Sequence, residues 1–143
     1  MSSHREQVIV ALEALLKAAL PDADVERDAP WPARSRPGGL VIVRDGDPGQ
    51  PEQAFSPSTF TYQHPIPIEF FGPDGAEERH ALLDAMLIKA GEAIVADRSL
   101  GGLCNWLEAT APAPEDIVSS GSQPVRAAVV NVVAEYTTSN PLA

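Results

Sequence analysis

The amino-acid sequence predicts one α+β domain over residues 1–143, with two helices packed on one face of a mostly antiparallel or mixed sheet of four to five strands. Three observations carry this. The chain has 143 residues, 44% of them apolar, which suits a single core. Two segments repeat apolar residues at helical spacing, and two longer ones are patterned as strands. Two helices are enough to cover only one face of such a sheet. No internal repeat or second domain is visible.

The first helix is expected from His4 to Ala19. Ser3 and Glu6 form a capping box before it, Val8, Leu12, Leu15 and Leu16 give it an apolar stripe, and Glu13 and Lys17 stand four apart in the favourable order. Pro21 ends it, because a residue preceding proline avoids the helical region. Ala23 to Arg27 reads as a short strand. An irregular stretch follows at 28–39, where three prolines and two glycines exclude both helix and central strand; Trp31 is expected to pin it to the body. Leu40 to Val43 is a wholly apolar run, suited to a strand covered on both sides. A second irregular stretch at 45–59 opens on the Asp45-Gly46 turn.

Phe60 to Phe71 alternates clearly. Tyr62, His64, Ile66, Ile68 and Phe70 face one way, and Thr61, Gln63, Pro65, Pro67 and Glu69 the other. Its two prolines belong at an edge, at a bulge, or where ladder bonds are absent on their side. Asp74 and Glu77 are a plausible capping pair for the second helix, whose inward stripe is Leu82, Leu83, Met86, Leu87, Ala90 and Ile94. Gly91 is either a weak point or a close approach to the sheet. Leu103 to Glu108 reads as a short strand, 109–124 as a third loop, and Val125 to Thr137 as the longest strand, apolar on both rows. Two helices hide one row, so the other is expected to need a neighbouring copy.

Ten Lys and Arg stand against twenty Asp and Glu, a net charge of −10. Such a chain repels DNA and anionic lipid, and the densest basic spot, Arg34-Ser-Arg36, is too small to change that. No apolar run is long enough for a membrane span, and the start lacks the features of a signal peptide. The single cysteine, Cys104, excludes an internal disulfide.

No phosphate-binding, dinucleotide, zincin or nucleophile-elbow pattern is present. His4, His64 and His80 are scattered; His64 is expected as a satisfied core histidine, and His80 as a solvated or capping residue. Cys104, beside Leu103 and Leu107, reads as a small buried hydrophobe. The Asp45-Gly46-Asp47 turn does not complete a calcium loop. Glu69, Glu108 and Glu135 are the carboxylates a glycosidase-like pair would draw on. No catalytic, cofactor-binding or metal-ligating residue is assigned, and the chain is expected not to be an enzyme.

The order of these pieces resembles the tail terminator (tail completion) proteins of long-tailed phages, prophages and gene-transfer-agent particles. The likeness runs through the helix Val8–Leu20, the loop Pro30-Trp31-Pro32, the strand Leu40–Arg44, and the strand Tyr62–Phe70 feeding the helix Glu77–Val95. It continues in Leu100-Gly101-Gly102 and the closing pattern Val132-Val-Ala-Glu-Tyr136. It covers nearly the whole chain.

The resemblance implies a homo-oligomeric ring, commonly a hexamer, in the tail of a virion or phage-like particle assembled in the bacterial host cytoplasm. The ring would cap the tail tube and meet a head-completion or connector protein, and DNA would transit its acidic channel without specific binding. Trp31, Arg34, Arg36, Arg44, Arg126, Val130, Val132 and Tyr136 are the expected subunit or partner contacts, with the arginines bridging to acidic neighbours. The alternatives are another head–tail joining or tube-associated protein, and a small cytoplasmic enzyme or ligand-binding domain with a pocket around His64, Cys104 and Glu108.

Overall fold

The computed structural model describes residues 1–32, 36–73, 79–117 and 125–143, leaving aside the side chains of 79, 115–117, 125 and 126. Helix α1 spans His4–Ala19 as its caps dictate. The Ser3 side chain accepts the Glu6 amide at 3.1 Å, which satisfies one of the otherwise unpaired first-turn donors. The reciprocal half of the capping box is absent, because the Glu6 carboxylate turns to Arg27 instead. Val8, Ile9, Leu12 and Leu16 form the buried stripe. At the far end the Leu20 amide closes on the Leu16 carbonyl at 2.9 Å, and Pro21 follows.

Among the described residues seven strands make one sheet: β1 (Asp24–Arg27), β2 (Leu40–Val43), β3 (Glu52–Ala54), β4 (Thr59–Phe71), β5 (Trp106–Ala109), β6 (Ala113–Ile117) and β7 (Val125–Thr138). The main path runs β1-β2-β4-β7-β5, with β3 beside β4 and β6 beside β7. Only β1 and β2 are parallel. The α+β class is therefore as expected, but the strand count is seven and not four to five. The additional strands, β3 and β6, lie in stretches expected to be loops. Each is held by a long strand: β3 by the first residues of β4, and β6 by the first residues of β7.

The middle of the sheet is the β4–β7 pair, in register over twelve residue pairs from Phe60↔Thr138 to Phe71↔Ala127. Pro65 and Pro67 lie within this central strand. The Pro67 carbonyl accepts the Arg44 amide at 2.9 Å, so its ring nitrogen faces the same side, away from β7. On that side β2 pairs with 68–71 and β3 with 59–61, which leaves a gap opposite both prolines. The missing donors thus cost no ladder bond.

Helix α2 spans Arg79–Ala96. It buries Leu83, Met86, Ala90 and Ile94, while Leu82 and Leu87 are half-buried at its margins. Gly91 makes no close approach to the sheet: a Cβ there would meet only open space. The Asp74–Glu77 capping pair lies outside the described residues. Both helices pack on one face of the sheet, over Val41, Val43, Ile66, Ile68, Val130 and Val132.

The parallel β1–β2 link must travel back along the sheet, and it brings Ala29 and Trp31 onto the opposite face. There a second, smaller cluster of Leu40, Ile42, Phe71 and Ala127 packs with Ala29. The rows of β2 are therefore both buried. No helix among the described residues is long and apolar enough to cross a membrane.

Candidate functional site

The face of the sheet turned away from the helices is where chemistry and surface meet. At one end the 28–32 link is fixed by Glu69, a carboxylate only 7% exposed. The Trp31 indole N–H donates to its two oxygens at 2.9 and 3.1 Å. Arg44 donates to Oε1 from Nε at 3.0 Å and from Nη2 at 2.8 Å. The link is therefore held by a charge-assisted cluster as well as by the packing of Ala29.

At the other end, β5 sets Trp106 opposite Glu135, on the same outer face. The indole is 48% exposed. The Arg98 guanidinium stacks 4.3 Å from its centroid and donates to the outward-facing Leu107 carbonyl at 2.7 Å. Gln63, Trp106, Glu108, Val133 and Glu135 line a shallow cavity of about 180 Å³. Two of the three glutamates singled out from sequence, Glu108 and Glu135, thus share one hollow, with the Gln63 amide donating to Glu135. Glu69 is engaged separately by Trp31 and Arg44.

Under the helices the titratable groups His64, Tyr136 and Cys104 are hydrogen-bonded within the core. His64 is fully buried. Its Nε2–H donates to the Asp45 carbonyl at 2.7 Å, which fixes the tautomer, and its Nδ1 accepts the Tyr136 hydroxyl at 2.9 Å. Burial pulls the imidazole below its ordinary value, the Asp45 carbonyl opposing, and pushes the Tyr136 phenol up to about 12. Tyr62 stacks on Tyr136, and His4 lies against it from α1. Cys104 is buried and donates to the Arg98 carbonyl at 3.4 Å; burial pushes its thiol up, the reverse of an activated nucleophile. The sheet separates Glu108, on the outer face, from His64 and Cys104, so these three do not share a pocket.

Among the expected contact residues, Trp31 is 51% exposed on the outer face. Val130, Val132 and Tyr136 require a correction. All three point under the helices and are buried by the chain's own core, so they have no surface to offer a neighbour. The accessible row of β7 is the other one, Val129, Asn131, Val133 and Glu135.

Arg36 and Arg44 are corrected as well: their acidic partners belong to the same chain. Arg36 bridges to Asp24 and Glu26 on β1 at 3.1 and 2.7 Å, and Arg44 to Glu69. Arg34, and the side chain of Arg126, lie outside the described residues. Arg27, not singled out from sequence, joins Glu6 of α1 to Asp45 beyond β2. Beside it the Glu6 carboxyl is held below its usual range.

Trp106 and Phe55 are among several exposed apolar side chains that the sequence did not single out. Trp106 sits in a strand too short to show alternation. Phe55, 76% exposed, tips the β3–β4 hairpin; a lone aromatic in a run of Pro, Gln, Glu and Ser was its only signal. Among the described residues no group of three or more His, Cys, Asp or Glu is placed to hold a metal ion. No family model matches the chain, and no curated protein matches it either.

Proposed function

We propose that this chain is a structural subunit of a tail-terminator ring, which caps the head-proximal end of a tail tube, stops its growth and forms the joint to the head. The observation that carries the proposal is the outer face of the sheet. The chain covers one end of that face with its own 28–32 link, yet both tryptophans remain half-exposed on it, and Val129 and Val133 stay only partly covered. Apolar surface of this kind, rimmed by Gln63, Glu108 and Glu135, is suited to contact with another protein. The element order that resembles the terminator family, and the net charge of −10, support the same reading. Acidic subunits around a channel let phosphate pass without adhering.

In this proposal the partners are sister copies, the tail tube protein and a head-completion or connector protein. The site of action is the tail of a virion or phage-like particle assembled in a bacterial host cytoplasm. The test is to polymerise a phage tail tube protein with and without this chain, and to image the products by electron microscopy. Shortened tubes with a ring of density at one end are expected. An unchanged length distribution with bare ends refutes the proposal, and binding to head connectors alone reassigns the chain to head–tail joining.

A further inference from the structure

Three neighbouring strands build the hollow beside Trp106. Gln63 of β4, Glu135 of β7 and Trp106 of β5 stand in one cross-strand row, and Val133 and Glu108 face each other in the next row. Together they line about 180 Å³. A cavity of roughly 150 Å³ accepts a benzene ring, and a guanidinium is smaller.

The charge of this hollow is one-sided. Glu108 and Glu135 are diagonal neighbours on the β5–β7 ladder, about 7–8 Å apart, within reach of long side chains. No Lys or Arg among the described residues bridges to either carboxylate. The neutral Gln63 amide donates to Glu135. Arg98 stacks on the Trp106 ring, but it donates to the Leu107 carbonyl. Counting Arg98 against the two glutamates still leaves one negative charge. With Arg98 in place the indole is 48% exposed, so ring surface remains for a second cation.

We infer that this hollow receives an arginine side chain from an unlike, basic partner protein. The inference rests on the ring reading and gives the chemistry of the partner that the outer face meets. An apolar knob would bury both carboxylates without a counter-charge, and an anionic group would be repelled. A lysine ammonium is a point charge. A guanidinium lies flat on an aromatic ring and offers a fork of N–H donors to carboxylates. A sister copy is a poor source: it carries the same −10, and Arg44 on its outer face is already bound to Glu69. Opposite charge steers a basic partner instead.

The test uses the whole chain and has two arms. In the first, the peptide acetyl-Gly-Arg-Gly-amide is titrated while NMR follows the Trp106 indole N–H and the Gln63 side-chain amide. The lysine and glutamate versions of the peptide run alongside. The arginine peptide is expected to move both signals. It should bind roughly threefold to tenfold more weakly to the double variant Glu108→Gln, Glu135→Gln. Both positions reach solvent, and an unchanged melting temperature establishes that the fold persists. Signals that stay still, that move equally with the lysine or glutamate peptide, or that move equally in the double variant overturn the inference. In the second arm, wild type and double variant are added to polymerised phage tail tubes, and the variant is expected to leave more ends bare. Equal capping by both overturns docking through the hollow and leaves the ring reading intact. A wild type that caps no tube, yet binds the arginine peptide through the two glutamates, overturns the ring reading and leaves the arginine site standing. Self-association in solution that the double variant abolishes makes a sister copy the occupant and overturns the unlike partner.

Discussion

Replacing Glu69 by alanine tests whether the 28–32 link is fastened by its carboxylate. Glu69 is 7% exposed and accepts three N–H donors, one from Trp31 and two from Arg44. A hydrogen bond to a charged group contributes about 1.5–3 kcal/mol net, and removing one member of a buried pair costs about 3–5 kcal/mol. The Arg44 side chain is 27% exposed and Trp31 is half-exposed, so water recovers part of the loss. The cost falls to about 3 kcal/mol, or roughly 6–12 °C in Tm for a domain of this size. Glu13→Gln is the control. It breaks the Glu13–Lys17 pair, whose lysine is 56% exposed, and costs less than about 0.5 kcal/mol. Urea unfolding followed by tryptophan fluorescence and circular dichroism reads both. A Glu69→Ala variant within about 1 kcal/mol of wild type, or no more affected than Glu13→Gln, refutes the reasoning.

Three further outcomes are expected. Burial holds the His64 imidazole below its ordinary value of 6.5, so the unfolded chain binds the proton first. The stabilisation is complete above that value and is lost as pH falls toward the folded pKa, by at most about 1.4 kcal/mol per pH unit. Urea melts between pH 5 and 7.5 should show this slope in wild type and lose it in His64→Gln; equal slopes contradict it. Tyr136→Phe strands the His64 Nδ1 acceptor and should cost about 1–3 kcal/mol, while an absorbance titration of wild type should find one phenol ionising near 12. Gly38→Ala drives a Cβ into the Asp22 carbonyl and should cost at least about 1–3 kcal/mol; a melting temperature equal to wild type would remove the argument for that close approach.

The elements that could be read from sequence are those whose signals are local. Ser3 and Pro21 bracket α1, Gly39 and Arg44 bracket β2, and the alternation from Tyr62 to Phe70 needs no partner to be seen. Strands β3 and β6 were hidden because their residues are polar or proline-bearing, and β3 is wholly exposed. They exist only because β4 and β7 overrun their neighbours.

On β7 the expected contacts Val130, Val132 and Tyr136 lie on the row that the helices cover. Both rows are apolar, but Asn131 and Glu135 in one of them mark the water side, and that clue was present. The arginine pairings were beyond reach, since Arg44 and Glu69 stand 25 positions apart and nothing local announces them.

The long central ribbon also governs when the molecule matures. Thr61 and Thr137 meet across 76 positions, and His64 and Tyr136 across 72. Closing loops of that size precedes any reward from burial, which slows refolding relative to a chain of mostly local contacts. Until β7 docks, Ile66, Ile68 and Phe70 lack half of their cover. The chain in which β7 has not yet docked is thus open to aggregation through that strand.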